Sequence, residues 1–186
     1  MPPKPAFEWL NLNLGLEGKG MSDDAPNRSS SRLVAVQLVY EMDVSGVGPN
    51  QVLKEFLLDR WKPPLADIEE DGQLAPVDEE YLRKLVAGIW DTTEELNQLL
   101  EPILSPAHSI DRVETLVKLI LQLGAYELRN CKFVPARVVI NEYMNVANAF
   151  FAENEPKLIN GVLDKLAQQL RAKEMVAGGT APDGTE

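Results

Sequence analysis

Cysteine and histidine are almost missing from this chain: Cys131 and His108 are the only ones in 186 residues. A disulfide framework needs cysteine pairs, and a structural zinc site needs several thiolate or imidazole ligands, so neither is expected. Long apolar runs are also missing; none approaches the roughly 18 residues of a membrane-spanning helix. The opening MPPKPAFEWLNLNLGLEGKG has no basic region followed by a continuous apolar core, so it does not read as a signal peptide, and a cytoplasmic protein is expected. There is no glycine-rich phosphate loop, no nucleophile elbow and no His-Glu metal pattern. His108 sits in a turn rich in serine and proline (Ser105, Pro106, Ser109), the setting of a solvated loop residue. The paired carboxylates Glu69-Glu70 and Glu79-Glu80 lie in or beside an acidic loop, again a solvated setting. No catalytic residue, metal or cofactor is therefore expected, and the chain does not read as an enzyme.

Positive charge is scarce as well. Eighteen Lys and Arg stand against 29 Asp and Glu, a formal net charge of −11. That balance disfavours a nucleic-acid binder unless the acids are segregated. They are. Residues 62–80 hold seven acids against one lysine, whereas residues 111–171 hold seven acids and eight bases. The acidity sits mostly in stretches that read as loops and tails, and the C-terminal half is slightly basic, with Arg129, Lys132 and Arg137 close together.

What the chain has in quantity is helical periodicity. Residues 1–27 are rich in Pro, Gly and Asn and read as a disordered extension, with Met21 an alternative start to Met1. Ser29–Ser31 offer N-cap side chains for a helix over about Arg32–Val44. Gly46, Gly48 and Pro49 end it, and a second helix follows over about Pro49–Arg60 with Val52, Leu53, Phe56 and Leu57 on one face. Residues 61–77, with a double proline and an acidic run, read as a loop. Asp78 opens a long helical stretch, in which Asp91-Thr92-Thr93-Glu94 could act as a fresh N-cap, giving one helix or two. Ile110-Asp111-Arg112 lead into a helix ending near Asn130, in which Gly124 would let a neighbour pack closely. Pro135 starts the next helix. Asn154 is placed to cap the last, with Pro156 in its first turn. From 172 to 186 the chain is small and polar and reads as a disordered tail. The whole reads as an all-α fold of about seven helices, a single compact helical domain over residues 28–171.

The last two of these helices carry Asn141, Asn145, Asn148, Asn154 and Asn160. Asparagine is a poor helix former, so this concentration suggests a surface with something to bind. Arg28 and Arg32 flank a serine run at a helix entry, where arginine can reach phosphate. Lys157 sits in the first turn of a helix, where the exposed N–H groups and the dipole also favour an anion. Asparagine amides beside such cations can read the edges of single-stranded bases.

Five short segments follow one another along the chain: Ala35-Val36-Gln37-Leu38-Val39-Tyr40, Leu85-Val86-Ala87-Gly88, Gly124-Ala125-Tyr126-Glu127-Leu128, Val134-Pro135 with Val139-Ile140-Asn141-Glu142, and Asn160-Gly161-Val162-Leu163-Asp164-Lys165. In this order they resemble the NusB family. The resemblance spans residues 28–171. It implies two packed three-helix bundles and a non-enzymatic transcription antitermination factor. Such a factor pairs with NusE, a small-subunit ribosomal protein, binds boxA RNA in ribosomal-RNA leaders, and works with RNA polymerase, NusA and NusG. Two other readings stand beside it: a helical protein–protein adaptor with little RNA binding of its own, and an accessory domain of an RNA cytosine methyltransferase. The second needs a catalytic domain with a glycine-rich cofactor loop, and these 186 residues hold no such loop.

The resemblance also implies site residues. Arg28 and Arg32 stand where the family often carries an arginine-rich RNA-contacting segment. Lys157 matches a family lysine at the RNA surface. Asn154 stands where some members have Asp, Leu158 where many have Phe, and Asn148 where Lys is common. Tyr40 matches an aromatic residue near the partner surface, and Lys118 and Asp111 are expected in partner contact; Val117 replaces an acidic residue there. The departures share a direction, less positive charge on the RNA face, which implies weak binding alone and useful binding with NusE. Asn160-Gly161 is expected to serve a helix crossing, with the glycine admitting a neighbour and the asparagine bonding across it.

Overall fold

The computed structural model describes residues 27–60, 76–104, 109–152 and 154–177. Among them are seven α-helices: α1 Arg28–Ser45, α2 Pro49–Glu55, α3 Glu79–Leu100, α4 Thr115–Asn130, α5 Ala136–Phe150, α6 Asn154–Leu170 and α7 Ala172–Ala177. The predicted all-α fold is the one observed. Backbone packing divides the chain into two compact units, Met1–Asp91 and Thr92–Glu186, and the division falls within α3.

In the first unit, α1 starts before the predicted boundary. The Asn27 side chain accepts hydrogen bonds from the N–H groups of Ser29 (2.8 Å) and Ser30 (3.3 Å), so the asparagine, not a serine, is the N-cap. The serines are thereby freed for other work. Ser31 Oγ accepts from the Asp78 N–H at 2.8 Å and donates to the Asp78 carbonyl at 3.1 Å, while Asn27 N–H bonds to the Pro76 carbonyl at 2.7 Å. These bonds tie the start of α1 to the start of α3. The run Leu33, Val34, Ala35, Val36, Leu38, Val39 and Met42 is buried nearly all round the helix. Gly46, at φ 72°, closes α1 in the left-handed conformation that glycine adopts without strain.

Pro49 fixes the first turn of α2, and the predicted stretch to Arg60 is helical, but it widens into a π turn from Phe56. α3 is one helix. Leu85, Ile89, Leu96 and Leu100 are all buried, and at about 100° per residue they share one face, so the apolar stripe runs unbroken past Thr92-Thr93.

In the second unit, α4, α5 and α6 pack on one another around Leu121, Leu123, Leu128, Val139, Tyr143, Ile159 and Leu163. Gly124 does what its position suggests: a Cβ there would lie 2.8 Å from Leu163 Cδ2 and 3.4 Å from Tyr143 Cδ2. Gly161 does not. Nothing lies within 4 Å of a Cβ built on it, and Asn160 is exposed. The reason is phase: Leu163 faces the α4 crossing, and Gly161, about 200° round α6 from it, points away, while Asn160, about 60° from Leu163, lies at the exposed edge of that face.

The predicted tail also differs at its start, where Ala172–Ala177 form α7. Arg171 and Glu174 anchor it, and Arg137 donates to the Met175 carbonyl at 3.5 Å. Arg171, 6 % exposed, donates to the carbonyls of Glu127, Leu128, Cys131 and Val134 at 2.6–3.1 Å. Glu174 accepts from the Ala136 N–H at 2.5 Å and so caps α5 from outside it. One short polar segment thus satisfies orphan backbone groups at the end of α4 and at the start of α5.

Candidate nucleic-acid interface

Within the first unit, Arg28 and Arg32 lie one helical turn apart on α1, yet they occupy different environments. Arg28 has a half-exposed side chain. Its Nε is 3.5 Å from the Asp78 carboxylate, and its guanidinium carbon is 5.2 Å from the centroid of the Tyr81 ring. Arg32 is 2 % exposed, donates to the Tyr81 hydroxyl at 3.2 Å, and lies 5.4 Å from the same ring. The sequence reading put both on a flexible entry. Instead the helix begins at Arg28, so Arg32 falls in the second turn, facing Tyr81 of α3. Arg28 is what the surface presents; Arg32 holds Tyr81 beneath it. Tyr40, further along α1, is half-buried.

Within the second unit, Asn148, Asn154 and Lys157 are exposed around the α5–α6 turn, and Leu158 is half-buried. Asn154 is the first residue of α6, and Lys157 and Leu158 follow at i+3 and i+4, so the three share a face. The first turn of this 17-residue helix presents backbone N–H groups without intrahelical acceptors, less the one that Pro156 lacks. Glu155 is half-buried in the same turn and is the acid an anion would meet first. The chemistry available is thus one mobile ammonium group, two amides that both donate and accept, and an apolar shelf at Leu158.

Lys118 is half-buried on α4, and Asp111 is exposed ahead of it. Val117 is 2 % exposed, as an aliphatic side chain on the inner face of α4 should be. His108 lies outside the described residues. No group of three or more His, Cys, Asp or Glu side chains able to hold a metal occurs among the described residues, and no helix among them is long and apolar enough to cross a membrane.

Two features escaped the sequence reading. Arg171 gave no sign of burial, because a lone arginine after a terminal leucine has the look of a solvated helix end. The asparagines of α5 were visible, but not that Arg137, Asn141, Asn145 and Asn148 form one exposed stripe. Arg129, grouped in sequence with Lys132 and Arg137, is instead paired with Glu95 at 2.7 Å.

Residues 29–168 match the family described as NusB family. The chain belongs to the NusB family. It is 34 % identical over 175 residues to the transcription antitermination protein NusB of Rhodopseudomonas palustris (strain TIE-1), a match covering 94 % of this chain and 97 % of that one. It is 38 % identical over 151 residues to the NusB of Bradyrhizobium sp. (strain BTAi1), covering 81 % and 87 %. Among solved structures, T. maritima NusB superposes with a TM-score of 0.64 at 23 % identity, over 82 % of this chain and 99 % of that one. A NusB crystallised with NusE and double-stranded RNA superposes with a TM-score of 0.61 at 25 % identity, over 76 % and 96 %. These relatives are transcription antitermination proteins.

Proposed function

We propose that this NusB-family chain is a cytoplasmic antitermination factor that binds boxA RNA of ribosomal-RNA leaders together with NusE, and supports processive transcription by RNA polymerase with NusA and NusG. The observation that carries the reading is the exposed Asn148–Asn154–Lys157 group at the α5–α6 turn, on the segment that the family match covers. Lys157 takes a phosphate at the head of α6, Asn154 and Asn148 take base edges or sugar hydroxyls, and Leu158 gives an apolar floor for a base. Arg28 adds a phosphate contact from α1, with Arg32 acting through Tyr81. Tyr40, Lys118 and Asp111 belong to the NusE contact.

The charge on these residues is small. One lysine and one arginine shared with Asp78 supply few phosphate contacts, so the isolated protein binds weakly and NusE supplies the remainder. The test is a gel-shift titration of single-stranded boxA RNA with and without NusE, repeated with Lys157→Ala. A shift that needs NusE and weakens in the variant supports the reading. No shift in either lane overturns it and leaves the protein–protein adaptor.

A further inference from the structure

The exposed face of α5 has no role in the function proposed above beyond its last residue, Asn148. Arg137, Asn141, Asn145 and Asn148 are all exposed. At about 100° per residue they fall within roughly 80° of arc, a single stripe about 17 Å long. No acid lies in the stripe; Glu142, half-buried, borders it. Each asparagine costs the helix about 0.5 kcal/mol relative to alanine, so the row is expensive for the fold. At the far end of α5, Lys132 is exposed and Phe133 is 55 % exposed, a cation and an aromatic ring presented together in the α4–α5 turn. The Ala136 N–H at the start of α5 is already taken by the Glu174 carboxylate, whose negative charge also disfavours an anion at that helix end.

We propose that this face is a second segment of the RNA track, running from the α5–α6 turn along Asn145 and Asn141 to Arg137, Lys132 and Phe133. The inference rests on the RNA-binding reading above and extends it. A stripe of amides bounded by cations at both ends, Lys157 at one and Arg137 and Lys132 at the other, suits a single strand: phosphates meet the cations, base edges meet amides that donate and accept, and one base stacks on Phe133. At the stacked spacing of about 3.4 Å per nucleotide, the stripe accommodates about five nucleotides beyond the turn. An acidic protein segment is the rival occupant. The amides favour RNA, because an acidic peptide asks for a row of cations and α5 offers only Arg137 along its length.

The experiment uses the full chain with NusE and three RNAs: the boxA core, and the core with five added uridines at the 5′ or the 3′ end. One extension should raise affinity about threefold or more over the core. Asn141→Ala/Asn145→Ala, and separately Lys132→Gln/Phe133→Ala/Arg137→Gln, should abolish that increment while binding the core as the parent does. The second variant should also flatten the salt dependence for the extended RNA by about 0.7 in log–log slope per lost phosphate contact. All these side chains are exposed, and a thermal unfolding scan checks that the variants fold. Equal affinity for core and extended RNAs, or an increment that survives both variants, overturns the α5 track and leaves the boxA reading standing. Variants that weaken NusE binding in the absence of RNA show a protein-binding face and overturn it too. No binding of any of the three RNAs overturns both.

Discussion

The Arg171 guanidinium donates to the Leu128 carbonyl at 2.7 Å, joining residues 43 apart in the chain. Three more carbonyls, those of Glu127, Cys131 and Val134, converge on the same group, and Glu174 lies 3.5 Å from it. A planar fork with five donors matches this ring of acceptors, whereas a lysine offers only one point of attachment. Replacing Arg171 by Met leaves buried carbonyls without donors at the end of α4. Each such loss costs about 1–3 kcal/mol where water cannot enter. Arg171→Met should therefore destabilise by about 3–5 kcal/mol, with Arg171→Lys intermediate. Urea unfolding reads this as a lower midpoint; an unchanged midpoint would show that solvent replaces the guanidinium at no cost.

Gly124 and Gly161 give a paired prediction with opposite signs. Both are helical, and alanine at a helical glycine gains up to about 1 kcal/mol of propensity. Gly161→Ala meets nothing within 4 Å and should stabilise by that amount. Gly124→Ala puts a methyl group 2.8 Å from Leu163 Cδ2, whose side chain is fully buried. Overpacking there costs about 1–3 kcal/mol, which outweighs the propensity gain, so the variant should be less stable than the parent. Thermal melts of the two variants side by side decide it: the same direction of shift for both would refute the placement of the α4–α6 crossing.

The contrast marks how far sequence alone reached. Helical spacing named the buried faces of α3 to α6, because a 3.6-residue repeat follows directly from backbone geometry. It named Gly124, since a glycine amid apolar residues mid-helix has few uses other than close packing. Gly161 has the same local signature, but whether a neighbour stands over it depends on helix phase at the crossing, a tertiary property. Arg28 and Arg32 differ by one turn and look alike in sequence; only the start of α1, set by the Asn27 cap, decides which reaches the surface. Arg171 and α7 were illegible for the same reason, since their partners lie about 40 residues upstream.

The N-cap of α1 offers a local check on that boundary. Asn27 satisfies two N–H groups of the first turn. Asn27→Ala should cost about 1 kcal/mol. Ser29→Ala should cost less, since Ser29 sits within the helix and not at its cap. If the serine variant proved the more damaging in urea unfolding, the helix would begin where the serine run suggests, and Arg32 would regain its place at the entry.

Asp78 links the electrostatics of the first unit to RNA binding. Its Oδ1 accepts from the Tyr81 N–H at 3.0 Å and so caps the start of α3, while its Oδ2 lies 3.5 Å from Arg28 Nε. The two jobs separate on substitution. Asparagine keeps the capping oxygen, and as a cap it ranks with aspartate, but it removes the negative charge that shares Arg28. A half-exposed ion pair of this kind contributes about 0–1 kcal/mol, so the stability of Asp78→Asn should stay within that range. RNA binding in the presence of NusE should strengthen, because a phosphate no longer competes with a carboxylate for the guanidinium. Its log–log salt slope should steepen by up to about 0.7, the value of one phosphate contact on a single strand. Asp78→Ala should free Arg28 equally while losing the cap, at a cost of about 1 kcal/mol. Adding Arg28→Gln to either variant should remove the gain and bring the slope to the parent value or below it, since the parent's own partial contact is lost too. A slope unmoved by Asp78→Asn would mean that Arg28 does not touch RNA, and the contact on α1 would have to be given up.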